Sequence, residues 1–145
     1  MTEPIVFTKI YKSSTFDGFL ITDEHINYND RSIPIKALWD TGSSESVISS
    51  SLVKELSLKS VGSALLNGTN LSHKTNVYEI ILLLARKQKI ALQVIESSQI
   101  SNSGIDFLIG LDVITMCDFS LSTYNEDICL SVRYPSKGFI DFTKQ

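Results

Sequence analysis

One segment of the sequence brings a carboxylate, a hydroxyl and a glycine together: Asp40-Thr41-Gly42, followed by Ser43. The apolar stretch before it ends at Trp39, so a predicted strand delivers Asp40 to a turn. A carboxylate held in this way can act as a general acid or base in hydrolysis. Glycine allows a second chain to approach closely, and the threonine hydroxyl can bond to that neighbour. Asp, Thr and Gly are also common turn residues, so the triplet alone also fits a plain β-turn.

A second segment, Leu108-Ile109-Gly110, lies in a run from Phe107 to Thr115, and its glycine follows Gly42 by 68 residues. An apolar strand ending in D-T-G-S, followed later by two hydrophobic residues and a glycine that lead into a short helix, resembles the retropepsin-like aspartic proteases. These are the retroviral-type proteases of peptidase family A2. The resemblance covers about residues 26–123, which is most of the chain.

The stretch between the two motifs has the order found in that family. Asn67-Gly68 is a strong signal for the tip of a hairpin. Residues 67–70 fall where such proteins place the flap, a hairpin that closes over substrate. Residues 78–84 and 89–95, with the turn between them, resemble the family's central hairpin.

The apolar runs along the chain are short, rich in Ile, Val, Leu and Phe, and separated by turn residues, which is typical of all-β proteins. Together with the resemblance, this pattern predicts a retropepsin-like acid protease barrel with a flap hairpin and one or two short helices. Because no repeat or long linker divides the chain, residues 1–145 are expected to form a single domain of this kind. Strands are predicted within residues 5–11, 19–28, 33–39, 64–66, 71–78, 78–85, 90–95, 107–109, 118–123 and 128–133. Short helices are predicted at 49–56, capped by residues 49–51, and at 111–116, and turns at 29–31, 86–89 and 125–127.

Peptide hydrolysis by this family's route needs two carboxylates that share one proton. The ionised carboxylate activates water, and the protonated one polarises the scissile carbonyl. The chain has a single D-T-G, and Asp106 precedes a predicted strand instead of ending one. Four later aspartates lack the Thr-Gly context: Asp112, Asp118, Asp127 and Asp141. The second catalytic aspartate is therefore expected from a second copy, in a symmetric homodimer with Asp40 of each subunit on the two-fold axis.

The resemblance implies a role for each matching residue. Asp40 is the expected catalytic acid and base of an aspartic endopeptidase. Thr41 is expected to bond the partner's loop, Gly42 to let the two loops approach, and Ser43 to donate to the outer oxygen of the carboxylate. The flap residues expected to contact the substrate backbone are Asn67, Gly68, Thr69 and Asn70. The residues expected to pack under the active-site loop as structural support are Leu108, Ile109 and Gly110.

Three features depart from the family's pattern. Trp39 is larger than the Leu, Val or Ile usual before the catalytic aspartate, so the strand beneath the site is expected to pack unusually. The predicted flap has one glycine, Gly68, where retroviral members are often glycine-rich. The segments before about residue 26 and after Arg133 do not match the dimer-forming termini of retroviral members, so the dimer interface is expected to be built differently.

Composition excludes several other classes of function. The net charge of −3 argues against a chain that mainly binds nucleic acid, and no run approaches the ~18 apolar residues of a membrane span. Cys117 and Cys129 are too few for a disulfide framework, and a turn near residues 125–126 places Cys129 opposite about Ser122. His25 and His73 lack metal-ligand spacing. No metal or cofactor is expected. The expected partners are a second copy of the chain and a peptide or protein substrate. The absence of a signal-like start predicts a cytoplasmic location.

Two alternatives stay open. One is a non-catalytic peptide-binding or dimerisation module on the same scaffold, since a fold does not fix a function; an intact D-T-G-S argues against it. The other is a purely structural β-barrel. A Ser-His-Asp site is disfavoured because the serine-rich run of residues 43–51 contains no G-x-S-x-G elbow.

Overall fold

The computed structural model describes residues 3–67 and 72–144. Within these ranges the chain is mostly β, as the sequence predicted, with two short α-helices. The strands are β1 (Ile5–Tyr11), β2 (Ile21–Tyr28), β3 (Arg31–Trp39), β4 (Val47–Ser49), β5 (Gly62–Asn67), β6 (Ser72–Leu84), β7 (Gln88–Ser97), β8 (Phe107–Ile109), β9 (Asp118–Tyr124) and β10 (Asp127–Tyr134). The helices are α1 (Ser50–Leu56) and α2 (Leu111–Ile114), with short 3-10 helices at Ile100–Ser103 and Phe142–Lys144.

Seven strands form one sheet in the order β2-β3-β8-β4-β7-β6-β5. Strand β2 pairs with β6 as well as with β3, so six of the strands close into a barrel and β5 extends from it as one arm of the β5–β6 hairpin. Most neighbours are antiparallel, but β3 pairs parallel with β8 and β4 pairs parallel with β7. The pairing of β3 with β8 sets Trp39 beside Ile109, which brings the two sequence motifs to the same end of adjacent strands.

A second sheet, in the order β1-β10-β9, packs against the barrel around Trp39. The Trp39 ring lies between Phe7 of β1 and Phe119 of β9, with ring centroids 6.1 and 5.9 Å away. Its Nε1 donates to Oγ1 of Thr22 at 2.8 Å, so the one polar atom of this buried ring has a partner. The large side chain before Asp40 therefore ties the second sheet to the barrel.

The turns between the strands mostly lie where the sequence predicted them. Asn29 and Asp30 have positive φ, as do Asn125 and Glu126, and both pairs join adjacent strands. The turn predicted at 86–89 lies instead at residues 85–87. Gln88 begins β7, where it pairs with Leu84, and its buried side chain donates from Nε2 to the carbonyl oxygen of Glu3 at 3.1 Å.

Helix α1 begins and is stabilised as the sequence predicted. The Ser49 side chain accepts a hydrogen bond from the backbone N–H of Leu52 at 3.1 Å, which caps the helix. Leu52, Val53 and Leu56 are its buried residues. Strand β4, which has only three residues and directly precedes this cap, was not predicted.

The pairing of β9 with β10 confirms the expected register of the thiols. Cys129 lies opposite Ser122, and both Cys117 and Cys129 are free. The α-helices of residues 3–67 and 72–144 include none long and apolar enough to cross a membrane.

Glu24 is a buried carboxyl inside the barrel wall, 3% exposed, and its Oε1 accepts from the backbone N–H of Ala85 at 2.8 Å. Burial raises the pKa of Glu24, and hydrogen bonds from Thr22 and Ala85 only partly offset this. The folded state therefore holds this proton more tightly than the unfolded state, so stability falls as the pH rises from the ordinary glutamate pKa through the raised one.

Replacing Glu24 with Gln removes this titration and keeps an oxygen that accepts from Ala85. We expect the free energy of unfolding of the variant, relative to that of the native chain, to increase as the pH rises from the ordinary glutamate pKa through the raised pKa of Glu24. Above that range the difference should become constant. Urea unfolding at about pH 4, 5, 6 and 7 measures this difference. If the free energies of unfolding of the two proteins change with pH by the same amount, the expectation is contradicted.

Candidate active site

Asp40 is the first residue after β3 and is partly exposed. Its backbone N–H donates to the carbonyl oxygen of Ile109 at 2.9 Å, which continues the pairing of β3 with β8 for one more residue. Its Oδ1 accepts from the backbone N–H of Gly42 at 2.8 Å. The carboxylate is thus held by the backbone of its own turn, as an acid or base with a fixed orientation requires.

Gly110 allows the two motifs to pack together. A Cβ on this residue would lie 2.5 Å from the carbonyl oxygen of Glu45, 2.6 Å from its carbonyl carbon and 2.9 Å from the carbonyl oxygen of Ser43. Only glycine fits where the active-site loop crosses the end of β8 this closely. Of the three residues expected to support the loop, Gly110 makes this contact and Ile109 is fully buried.

Two backbone hydrogen bonds join the loop to the start of α2. The N–H of Leu111 donates to the carbonyl oxygen of Ser43 at 2.8 Å, and the N–H of Asp112 donates to that of Ser44 at 3.2 Å. The Ser43 hydroxyl donates to the carbonyl oxygen of Glu45 at 2.7 Å. Its expected bond to the Asp40 carboxylate is therefore not formed, because a hydroxyl has one proton to donate and the turn directs it to Glu45.

A side-chain link between the two motifs was not predicted from the sequence. The carboxylate of Asp112 accepts from Ser46 twice: Oδ2 from the backbone N–H at 2.9 Å and Oδ1 from the hydroxyl at 2.7 Å. The Ser46 oxygen in turn accepts from the N–H of Gly110 at 3.1 Å. The sequence offered one signal for this link, a polar residue shortly after each motif. Ser46 follows Gly42 by four residues, and Asp112 follows Gly110 by two.

This link yields a prediction for Asp112→Ala. The substitution leaves the N–H and hydroxyl of Ser46, which is fully buried, without their acceptor. We expect it to lower the free energy of unfolding by about 2–3 kcal/mol, as measured by urea titration. Asp112→Asn keeps one oxygen acceptor and should cost less. Equal stability of the native chain and the alanine variant would show that the link does not hold the loop.

The strands that carry the loop have a second apolar face. Ala37 and Trp39 of β3 point into the main core, whereas Leu38 between them packs with a separate small cluster. The buried members of that cluster are Val47, Ile95 and Leu108, and the side chains packed against it are Leu38, Ala64, Val77 and Ile100. Because Ala64 and Val77 belong to the β5–β6 hairpin, this apolar face lies between that hairpin and the strands that end at Asp40 and Gly110.

The remaining predicted site residues are placed as follows. Thr41 and Gly42 are exposed at the turn beside Asp40. Asn67, the first of the predicted flap residues, ends β5 and pairs with Ser72, the first residue of β6. The other predicted flap residues, Gly68, Thr69 and Asn70, lie outside the described residues.

The sequence matches the aspartyl protease family over residues 25–113, more than half of the chain, and the protein therefore belongs to that family. Its fold is that of the retropepsin-like aspartic proteases. A retropepsin-like aspartic protease from Rickettsia conorii superposes with a TM-score of 0.56 at 15% identity, covering 92% of this chain and 97% of that one. The EIAV protease, complexed with the inhibitor HBY-793, superposes with a TM-score of 0.53 at 16% identity, covering 70% of this chain and 89% of that one. No curated protein matches the sequence.

Proposed function

We propose that the protein is an aspartic endopeptidase whose active site is completed by Asp40 of a second copy. The observation that carries the proposal is the position of Asp40, which is partly exposed at the end of β3. The backbone N–H of Gly42 orients its carboxylate, and the loop that carries it packs closely against Gly110. The aspartates that flank β8 are already engaged. Asp112 binds Ser46, and Asp106 accepts from the backbone N–H of Lys36 at 2.8 Å.

In the proposed mechanism two Asp40 carboxyls share one proton. The ionised carboxylate takes a proton from water, which attacks the scissile carbonyl, and the protonated carboxyl donates to the carbonyl oxygen. Collapse of the tetrahedral intermediate breaks the C–N bond as a carboxyl gives a proton to the departing amine. Gly42 allows the two loops to approach, and the exposed Thr41 hydroxyl bonds the partner's loop. Residues 1–145 are proposed to act as one catalytic domain, and the reaction needs no cofactor.

The substrate is proposed to be an extended peptide with apolar side chains near the scissile bond. The second apolar face, formed by Leu38, Val47 and Leu108 with Ile95, lies beside the Asp40 loop, and such side chains are proposed to pack near it. The predicted flap residues Asn67, Gly68, Thr69 and Asn70 are proposed to cover the peptide and bind its backbone.

Cleavage of a diverse peptide library across about pH 4 to 7 tests this function. We expect cleavage at apolar sites, with a rate that is highest at acidic to mildly acidic pH, where the pair of carboxyls holds one proton. Folded, dimeric protein that cleaves nothing in the library would contradict the proposal and favour a peptide-binding module.

A further inference from the structure

Glu96 lies where β6 separates from β7. The pairing of these two strands ends at Val77 and Ile95, and beyond that point β7 pairs with β4 instead. The residues of β6 before Val77 pair with β5, which is the last strand of the sheet. We define the β5–β6 arm as residues 63–65 and 73–76. Within the part of the chain that the structure describes, the two strands of this arm pair only with each other.

Hydrogen bonds to Glu96 join the β5–β6 arm to β7. Oγ1 of Thr75 donates to the carbonyl oxygen of Glu96 at 2.7 Å. The hydroxyl of Tyr78, a buried residue of β6, donates to Oε1 of Glu96 at 2.7 Å. The backbone of Glu96 is itself held in the barrel wall, where it pairs with the fully buried Ile48 of β4. Glu96 therefore binds β6 on both sides of the point where that strand leaves β7.

The carboxyl group of Glu96 is a strong hydrogen-bond acceptor at this position. Burial raises its pKa, but hydrogen bonds from Ser50, Tyr78 and Asn76 outweigh burial, so the pKa lies below the ordinary glutamate value. The group is therefore ionised at neutral and mildly acidic pH. Hydrogen bonds to an ionised acceptor are stronger than those between neutral groups. Asn76 belongs to the β5–β6 arm and Ser50 to α1, so one carboxylate collects donors from both elements.

The space beside these contacts is open. A cavity of about 490 Å³ lies between residues 73–76 of the β5–β6 arm and residues 96–99. Across this space, hydrogen bonds to Glu96 take the place of packed side chains in joining the arm to β7. On the other face of the two strands, Ala64 and Val77 pack against the second apolar face. A change in the position of the arm would therefore change the space beside that face.

We propose that Glu96 is a positioning residue that holds the β5–β6 arm over the second apolar face, where apolar side chains of the substrate are proposed to pack. This inference rests on the proposed function, because it assigns Glu96 a part in peptide binding at the same site. Loss of its hydrogen bonds frees the arm and weakens peptide binding. It leaves the Asp40 carboxyls unchanged, because Glu96 bonds neither Asp40 nor its turn.

The first test is the steady-state kinetics of Glu96→Ala with a peptide that the native chain cleaves. We expect KM to rise by about 10-fold while kcat changes by less than about twofold. Glu96→Gln keeps an oxygen that accepts from Tyr78 and should restore most of the native KM. Glu79→Ala is the matched control. Glu79 is exposed beside Tyr78 on β6 and points to the opposite face of the strand, so its replacement should leave KM and kcat unchanged.

The second test measures motion of the β5–β6 arm and needs no activity. NMR relaxation dispersion of backbone amides detects movement of such elements on the microsecond to millisecond timescale. In Glu96→Ala we expect the exchange contribution at residues 63–65 and 73–76 to rise by about twofold or more, while that of β2 and β3 stays at the native level. If Glu96→Ala fails to fold by circular dichroism, Tyr78→Phe, which removes only the donating hydroxyl, replaces it in both tests.

The outcomes separate this inference from the proposed function. A higher KM together with added motion confined to the β5–β6 arm supports the inference. An unchanged KM, or unchanged motion of the arm, overturns it even if kcat falls. If the native chain cleaves peptides and Glu96→Ala keeps the native KM, the proposed function stands without this role for Glu96. If the native chain cleaves nothing, the proposed function fails, and the motion of the arm alone decides whether Glu96 positions it.

Discussion

Replacing Asp40 with Asn is expected to reduce peptide cleavage by about 10⁴-fold or more. In a homodimer the single substitution removes both members of the acid–base pair, so neither subunit can activate water or protonate the carbonyl. The amide keeps an oxygen that accepts the 2.8 Å hydrogen bond from the N–H of Gly42, so the loop should retain its shape. Peptide cleavage measured at the optimal pH of the native protein checks this expectation.

Two controls make the Asp40→Asn result specific. The stability of the variant should stay within about 1 kcal/mol of the native value, since the buried neighbours of the loop are unchanged. Asp106→Asn removes a carboxylate that directly precedes β8 and accepts from the backbone N–H of Lys36, and it should leave cleavage largely intact. Cleavage by Asp40→Asn at the native rate would exclude an aspartic mechanism at this residue.

Gly110→Ala is expected to be the most damaging single-methyl change to the active-site loop. Its Cβ would lie within 3 Å of three backbone atoms of Ser43 and Glu45, and backbone cannot move aside as the end of a side chain can. We expect a loss of about 3 kcal/mol in unfolding free energy. Because the loop that carries Asp40 must shift, cleavage should also fall by about 10²-fold. Urea unfolding and a cleavage assay measure the two effects.

Gly62→Ala provides the matched control for this prediction. Gly62 begins β5, and a Cβ there meets no atom within 4 Å. Its replacement should change stability by no more than about 0.5 kcal/mol. If Gly62→Ala and Gly110→Ala have the same small effect, the close packing of the two motifs is not what positions Asp40.

Local sequence signals predicted much of this fold. The boundaries of β1 and β8, the Ser49 cap of α1 and the position of Cys129 opposite Ser122 all follow from patterns of neighbouring residues. The two motifs were also informative, because a glycine is needed wherever one backbone crosses another as closely as at Gly110.

Features that depend on distant residues could not be predicted in the same way. The sheet of β1, β10 and β9 brings strands from the two ends of the chain together. The residues of β1 alone do not indicate that β10 is its partner. The turn at 85–87 is shifted by the buried side chains of Glu24 and Gln88, which bond backbone atoms far away in the sequence. The Ser46–Asp112 link is of the same kind, because each residue alone is an ordinary polar residue near a turn.

The central claim, that two copies of Asp40 form one site, is tested most directly by mixing native chains with Asp40→Asn chains and letting the subunits exchange. If each active site needs Asp40 from both subunits, native chains in mixed dimers are inactive. The cleavage rate of a fixed amount of native protein should then fall to about one half with an equal amount of variant, and to about one quarter with a threefold excess. A rate that does not change as variant is added, although mixed dimers form, would show that one Asp40 suffices and would contradict the shared site.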